Sequence, residues 1–396
     1  MHFPVFREAS LTEFDAEVGV VGVGTVGSMA MMELTRRGCS VLGFERYWGV
    51  PHDQSAYGGE SRLYRSIPVL ELGAGDVRIA ADSYAAWRQL ESATGHQLLV
   101  ECGGLVIEPA GSAAIDRLLG LVSAGAIRAE QLSHEEMRVR YPQFVLYPED
   151  RIVFDPRGGW LRPELAVAAA VRLSTARGAK VLTNTEVTGW DSDRTGVTVR
   201  TAGAEYRVRK LVVSPGGWAT ELLPGLKADA QRVVMAWYTP RTAEDAALFG
   251  PDRFPSFTRT HHGEFSFGGP TLEGSMVKIS GAYSEVWGHS EKVDQLDRTV
   301  ATADLAPGRR HLPQIVRGLD PTPARTGVWI ESTSHDDTAI VGHWKDDERV
   351  IVATSFSGYG FKICPVIGSI VADLATSGTT PYDISHMSPG RFNRPM

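Results

Sequence analysis

The chain is predicted to be α/β, with two domains: a parallel-sheet domain interrupted by an inserted antiparallel sheet. Three observations predict this. Residues 18–45 (VGVVGVGTVGSMAMMELTRRGCSVLGFE) read as a strand, a glycine turn, a helix and a second strand that ends on an acid. From about 226 to 325 apolar and polar residues alternate, as in 233–238, 264–267 and 276–280, the pattern of half-buried antiparallel strands. After Arg325 short apolar runs return, followed by a long apolar helix. Residues 1–93, 154–225 and 326–396 are therefore assigned to the first domain, and 94–153 and 226–325 to the second.

In the first stretch, 18–23 is short and apolar, as a buried parallel strand should be. Gly22, Gly24 and Gly27 then form G-x-G-x-x-G. Gly22 permits the tight turn, Gly24 lets the backbone approach a pyrophosphate, and Gly27 lets helix and strand pack closely. The helix N-terminus offers free N–H groups and partial positive charge to that anion. Met29, Met31 and Met32 read as core filling. Glu45 can accept hydrogen bonds from both ribose hydroxyls, and an acid there disfavours a 2′-phosphate, so FAD or NAD is expected rather than NADP. A glycine-rich loop without a ligand is the plainer reading of the motif alone; the flanking strand, helix and acid argue against it.

Further along, 47–68 is polar and glycine-containing, a loop or short helix, and 75–92 is an amphipathic helix through Ala81, Tyr84, Trp87 and Leu90. Residues 98–108 read as a strand pair around Gly103-Gly104. Ser133 with Glu136 forms a capping box that opens a short helix before Pro142. A helix from about Pro163 ends at Gly178 and leads to a strand at 180–182. A meander, 196–200 and 205–208, leads to a strand at 211–214, which runs into Pro215-Gly216-Gly217-Trp218. Strands at 339–341 and 350–353 precede a helix from about Pro365 to Leu374.

The 396 residues carry a net charge of −7, which argues against nucleic acid or an anionic membrane as the main partner. An anionic small substrate stays open, because local charge decides that. Cys39, Cys102 and Cys364 are scattered, so neither a disulfide framework nor a metal site is expected. The N-terminus has Arg7, Glu8, Glu13 and Asp15 where a signal peptide would be apolar, and no uninterrupted apolar run is long enough to span a bilayer. The expected location is the cytoplasm, as a monomer or small homo-oligomer.

Beyond the glycine turn the chain carries G-G-E-S-R-L-Y-R at 58–65, G-G-W-L-R-P-E-L at 158–165 and V-S-P-G-G-W-A-T-E-L-L-P at 213–224. It then carries M-V-K-I-S-G at 276–281 and S-F-S-G-Y-G-F-K at 355–362. In this order the segments resemble the monomeric sarcosine oxidase and N-methyltryptophan oxidase family of FAD-dependent amine oxidases, over nearly the whole chain. The resemblance implies a Rossmann-like FAD-binding domain, like that of p-hydroxybenzoate hydroxylase, with the antiparallel sheet as substrate domain. It implies oxidation of the C–N bond of a secondary amine, with hydride equivalents passing to flavin N5, hydrolysis of the imine, and reoxidation by O2 to hydrogen peroxide. Arg65 and Lys362 match the basic pair that holds the substrate carboxylate. Arg62 matches an arginine beside the flavin, and Lys278 matches the lysine that activates oxygen. The cofactor-binding set implied is Gly22, Gly24, Thr25, Val26, Gly27, Glu45, Arg46, Ser61, Arg62, Val187, Gly216, Trp218, Trp329, Gly358, Gly360, Phe361 and Lys362.

Each of these residues has a plainer reading. Arg62 and Arg65, three apart, could be solvated surface arginines, or a clamp whose planar forks match a carboxylate. Lys362 sits at a helix start, where a cation is disfavoured unless an anionic ligand supplies a reason. Lys278 lies in an alternating strand with Val277 and Ile279 on the other face. Turned inward it needs a partner, and it would stabilise the charge that develops as oxygen is reduced. A positively charged site lowers an amine's pKa, so no dedicated base is expected. His261-His262, near turn residues, is expected to be solvated and without a catalytic role.

Two departures from the family pattern matter. Trp329 falls where covalent members carry the flavin-bearing cysteine, so FAD is expected to be noncovalent. In the substrate pocket Phe267 stands for a tyrosine, Ala282 and Tyr359 for two histidines, and Gly268-Gly269 for a Gly-Phe pair. Lost bulk at Gly269 and Ala282 would enlarge the cavity and suit a substrate larger than sarcosine, an N-methylated or cyclic amino acid. The alternatives are a flavin amine dehydrogenase using another acceptor, a biosynthetic flavoenzyme of the same fold acting on a non-amino-acid substrate, a flavin-binding protein without catalysis, and an NAD-dependent dehydrogenase.

Overall fold

A computed structural model describes residues 14–67, 76–272, 274–281, 288–345 and 347–393. Its first sheet forms around the apolar strand Ala16–Val21, which lies between Val41–Phe44 and Glu205–Val213 and runs parallel to both. Lys180–Leu182 extends the sheet on one side and Asp347–Thr354 on the other, again in parallel. Ile340–Trp344 then pairs antiparallel with Asp347–Thr354. The segments expected at 205–208 and 211–214 are one strand. Its first half closes the antiparallel meander with Val197–Thr201 and its second half joins the parallel sheet.

Helices Thr25–Arg36 and Gly360–Ser377 cover one face of this sheet. Val26, Ala30 and Leu34 of the first interlock with Ile363, Ile367 and Ile370 of the second over Val18, Val20 and Val212. Met29, Met31 and Met32 are all buried, as core residues. The second helix begins at Gly360, ahead of the expected Pro365, which lies inside it. Proline forfeits one helical hydrogen bond, and burial outweighs that: Phe361 stacks on Trp87 with ring centroids 5.7 Å apart. Among the described residues this helix alone is long and apolar enough to cross a membrane, and 78% of it is buried inside the protein.

The second sheet has nine strands. Ala228–Tyr238 pairs with Arg325–Ser334 along its length, from Ala228↔Ser334 to Trp237↔Arg325. Residues 326–334 therefore belong to this sheet, past the border expected at 325. The alternating strand finds its ladder partner here, which composition cannot reveal. One pair, Ser256–His261 with Gly104–Pro109, is parallel, so the sheet is mixed. The expected strand pair at 98–108 is split. Gly104–Pro109 joins the large sheet, while Leu99–Glu101 joins a three-stranded sheet with Gly159–Leu161 and Arg62–Tyr64. Helix Thr302–Ile315, not expected from the sequence, packs Leu312 and Ile315 onto Phe257 and Ile279. The capping box forms as expected: the Glu136 carboxylate accepts the Ser133 N–H at 2.7 Å, and Ser133 Oγ accepts the Glu136 N–H at 3.2 Å.

Candidate active site

A cavity of about 420 Å³ opens beyond the C-terminal ends of the parallel strands, bordered by Val21, Phe44, Ser214 and Ala353. This is where open α/β sheets bind ligands. At Gly22 the backbone has φ +80°, and an added Cβ would lie 2.5 Å from the Ser214 carbonyl. At Gly27 a Cβ would lie 1.9 Å from the Gly22 carbonyl, so the helix can follow the turn this closely only with glycine there. The helix Thr25–Arg36 has no acid in its first turn, nor has Gly360–Ser377, and both N-termini border the same cavity. Two such ends leave backbone N–H groups and positive dipole ends for an anion.

Glu45 is held ready on the adjacent strand end. Its carboxylate accepts the N–H groups of Val23 and Tyr47, each at 3.1 Å, and lies 3.2 Å from His52 Nε2. Arg46, Val187, Gly216 and Trp218 complete one wall, and Gly358, Gly360 and Phe361 another. The Arg46 guanidinium lies 5.2 Å from the Trp218 ring centroid.

The opposite end of the cavity is cationic. Arg62 lines it and donates to the carbonyls of Ser61 at 2.7 Å, Gly58 at 2.6 Å and Ala56. Lys278, 2% exposed, reaches across from the nine-stranded sheet and donates to Gly59 O at 3.0 Å and Ser61 O at 2.9 Å. Its ammonium lies 5.2 Å from the Trp237 ring centroid. Both cations are thus bound to carbonyls of one loop. Burial, reinforced by the charge of Arg62, pushes the Lys278 ammonium well below its ordinary pKa, and burial brings Arg62 down to about 10. Arg65 is buried with Nη1 3.3 Å from Thr258 Oγ1, and Lys362 is buried in the first turn of its helix.

The sequence pattern of the FAD dependent oxidoreductase (DAO) family matches residues 17–374. The monomeric sarcosine oxidase of Streptomyces avermitilis is 30% identical over 380 residues, which is 95% of this chain and 97% of that protein. The chain belongs to the FAD-dependent oxidoreductase family. The N-methyl-L-tryptophan oxidase of Yersinia pestis is 29% identical over 390 residues, covering 96% of this chain and all of the relative. Among solved structures, NikD, an unusual amino acid oxidase essential for nikkomycin biosynthesis, aligns with a TM-score of 0.81 at 23% identity, over 94% of this chain and 97% of that one. Glycine oxidase from Geobacillus kaustophilus aligns at 0.79 and 18%, over 95% and 98%. At those identities the structures attest the fold.

The glycine cradle, the two helix ends and the anchored Glu45 fit the pyrophosphate and ribose of FAD. Of the expected cofactor set, Gly22, Gly24, Thr25, Val26, Glu45, Arg46, Arg62, Val187, Gly216, Trp218, Gly358, Gly360 and Phe361 border the cavity. Gly27, Ser61, Trp329 and Lys362 are not among the residues that border it. Trp329 packs its indole against Gly58 and Trp237, with a buried Nε1 that has no hydrogen-bond partner.

Several pocket expectations are corrected. Tyr359, expected beside the substrate, turns into the core, where its hydroxyl accepts the Ala339 N–H at 2.7 Å. It directly precedes the helix, whose packing sets its direction. Phe267, like Arg65 and Lys362, does not border the nucleotide cavity; it lies on the nine-stranded sheet, 6.3 Å from Phe265 between ring centroids. Gly269 opens no space: a Cβ there would lie 1.8 Å from Trp160 Nε1, so an indole occupies that volume. Ala282 lies outside the described residues. His261 is not solvated but buried, stacked on Tyr147 at 4.2 Å, because strand alternation turns it inward.

One residue on the wall escaped the sequence reading. Glu331 shares the alternation of Trp329 and faces the cavity. Burial pushes its carboxyl up to about 7, against the opposing charges of Arg62 and Lys362. The signal available was an acid set in the strand W-I-E-S.

Proposed function

We propose that this chain oxidises the C–N bond of a carboxylate-bearing secondary amine, an N-methyl or cyclic amino acid, to an imine, with O2 as final acceptor and hydrogen peroxide as product. The observation that carries this is the grouping of Arg62, Arg65, Lys278 and Lys362. Arg62 and Lys278 both bind carbonyls of the loop 56–61 beside a dinucleotide cavity, Arg65 follows Arg62 closely on the chain, and Lys362 acts with Arg62 on the same Glu331 carboxyl. Nucleotide binding alone does not require buried cations there, and each is costly to desolvate. Bound FAD supplies the two-electron acceptor. Arg65 and Lys362 hold the carboxylate and so orient the amine. The Lys278 ammonium stabilises negative charge as oxygen is reduced, and Arg62 adds to that field. In this reading the parallel-sheet part holds the nucleotide and the nine-stranded sheet holds the substrate.

FAD is proposed to be noncovalent, since Cys39, Cys102 and Cys364 are not among the residues that border the cavity. Acid precipitation tests this: flavin released into the supernatant supports it, and flavin retained on the pellet overturns it. The reaction itself is tested by anaerobic absorbance with a panel of N-methyl and cyclic amino acids, followed by air. Bleaching by one compound and rapid return of colour with peroxide is expected. Bleaching without rapid return would move the assignment to a dehydrogenase, and a yellow protein that no amine bleaches would overturn it.

A further inference from the structure

The Glu331 carboxyl faces the cavity and, among the described residues, makes no hydrogen bond or ion pair. At Gly358, also on the cavity wall, an added Cβ would lie 3.6 Å from Glu331 Oε1. Charge reaches it from two elements: Arg62, which is already bound to three carbonyls, and Lys362 on the final helix. The other charged groups packed around its strand are engaged elsewhere. Arg232 is paired with Asp304 at 2.6 Å, Asp229 with His335 at 3.5 Å, and Glu221 accepts the Val293 N–H at 3.2 Å. A carboxyl this enclosed, without a donor, is expensive and calls for a ligand N–H or a proton. The cations beside it hold it at the edge of ionisation, so that either is within reach.

We propose that Glu331 is the acceptor for the substrate's amine and takes its proton on binding. The inference rests on the amine oxidation proposed above and names its substrate form: an amino acid zwitterion, with its carboxylate toward Arg65 and Lys362 and its ammonium toward Glu331. One N–H bond of the ammonium breaks and one O–H bond forms on the Glu331 carboxylate. No electrons are exchanged, and the amine is left neutral with its lone pair free. That is the form from which the C–N bond can be oxidised. This assigns a base where the sequence led to none being expected.

The test uses the flavin-loaded protein and its Glu331→Gln variant. Between about pH 6 and 9, each is titrated with the amine that bleaches the wild type and with 2-furoate, a carboxylate without an amine. Flavin absorbance reports both binding and the anaerobic bleaching rate. Glu331→Gln is expected to weaken amine binding about 10- to 100-fold. It should also shift the pH dependence of bleaching upward, toward that of the free amine, while 2-furoate binds within about threefold of wild type or more tightly. Glu331→Asp should restore part of the pH dependence, which a packing role would not predict, and it serves if the glutamine variant folds poorly. An unchanged pH profile and amine affinity in Glu331→Gln, with 2-furoate still bound, would overturn the inference alone. If neither ligand perturbs the wild-type flavin, the amine oxidation itself falls, and this inference with it.

Discussion

At the glycine end of the cavity a ligand meets backbone: the turn at Gly22, the two helix N-termini, and one carboxylate held by two N–H groups and a histidine. At the other end it meets the side chains of Arg62 and Glu331, with the charges of Lys278 and Lys362 acting on them, supplied by a three-stranded sheet, a nine-stranded sheet and a helix. At the first end Glu45 is anchored before any ligand arrives, and the groups left for the ligand are backbone N–H donors. The second holds ionisable groups away from water: Arg62 and Lys278 are bound to carbonyls, and the pKa values of Arg62, Lys278 and Glu331 are displaced. The comparison teaches where stability and chemistry are separated. Geometry is secured where the cofactor's anion is gripped, and electrostatic cost is concentrated where the reacting groups are to come.

The sharpest way to break this contrast is Gly27→Val. Its Cβ would fall 1.9 Å from the Gly22 carbonyl, so the turn itself must move. The cost expected is about 3 kcal/mol or more, with loss of most bound flavin, read from a thermal melt and the flavin-to-protein absorbance ratio. Retained flavin at wild-type stability would show that the cradle is looser than it looks.

Lys278→Met should do the reverse. Removing one preorganised charge is expected to slow reoxidation by O2 about 10²- to 10³-fold, while melting temperature holds or rises because a buried ammonium is no longer desolvated. Stopped-flow reoxidation and a melt measure both. A lower melting temperature with normal reoxidation would make the lysine structural.

Glu331 adds a pH signature to the flavin-free protein. Its folded pKa of about 7 lies above the ordinary 4.5, so the folded state binds more protons between those values than the unfolded state. Stability therefore falls as pH rises from about 4.5 to 7, by about 3 kcal/mol at most. Urea titrations across that range should show this slope in the wild type and lose it in Glu331→Gln.

The smallest effect is expected at Tyr359→Phe. It deletes the hydroxyl that accepts the Ala339 N–H, at a cost of about 1 kcal/mol in stability, and leaves KM unchanged because the ring is in the core. A raised KM with unchanged stability would return Tyr359 to the substrate side.

The glycine end was legible because its signal is local. The motif, its strand and helix and the acid that follows lie within 18–45, and steric needs at Gly22 and Gly27 follow from backbone alone. The direction of Lys278 stayed open in the sequence, because alternation puts Val277 and Ile279 on the other face, and in the structure both faces of that strand are buried. Where volume or direction depended on a distant residue, the reading failed. The space at Gly269 belongs to Trp160, the direction of Tyr359 to Ala339, and the burial of His261 to Tyr147.

The sequence by itself determined the α/β class, the nucleotide turn, the family and the residue types available for chemistry, because each rests on near neighbours in the chain or on an ordered set of motifs. Tertiary structure alone decided that strand Arg325–Ser334 joins the nine-stranded sheet, that one loop's carbonyls bind both Arg62 and Lys278, and that Glu331 faces the cavity under the charges of Arg62 and Lys362. Those outcomes depend on which surfaces meet and which charges lose water together, and both are properties of contact in space.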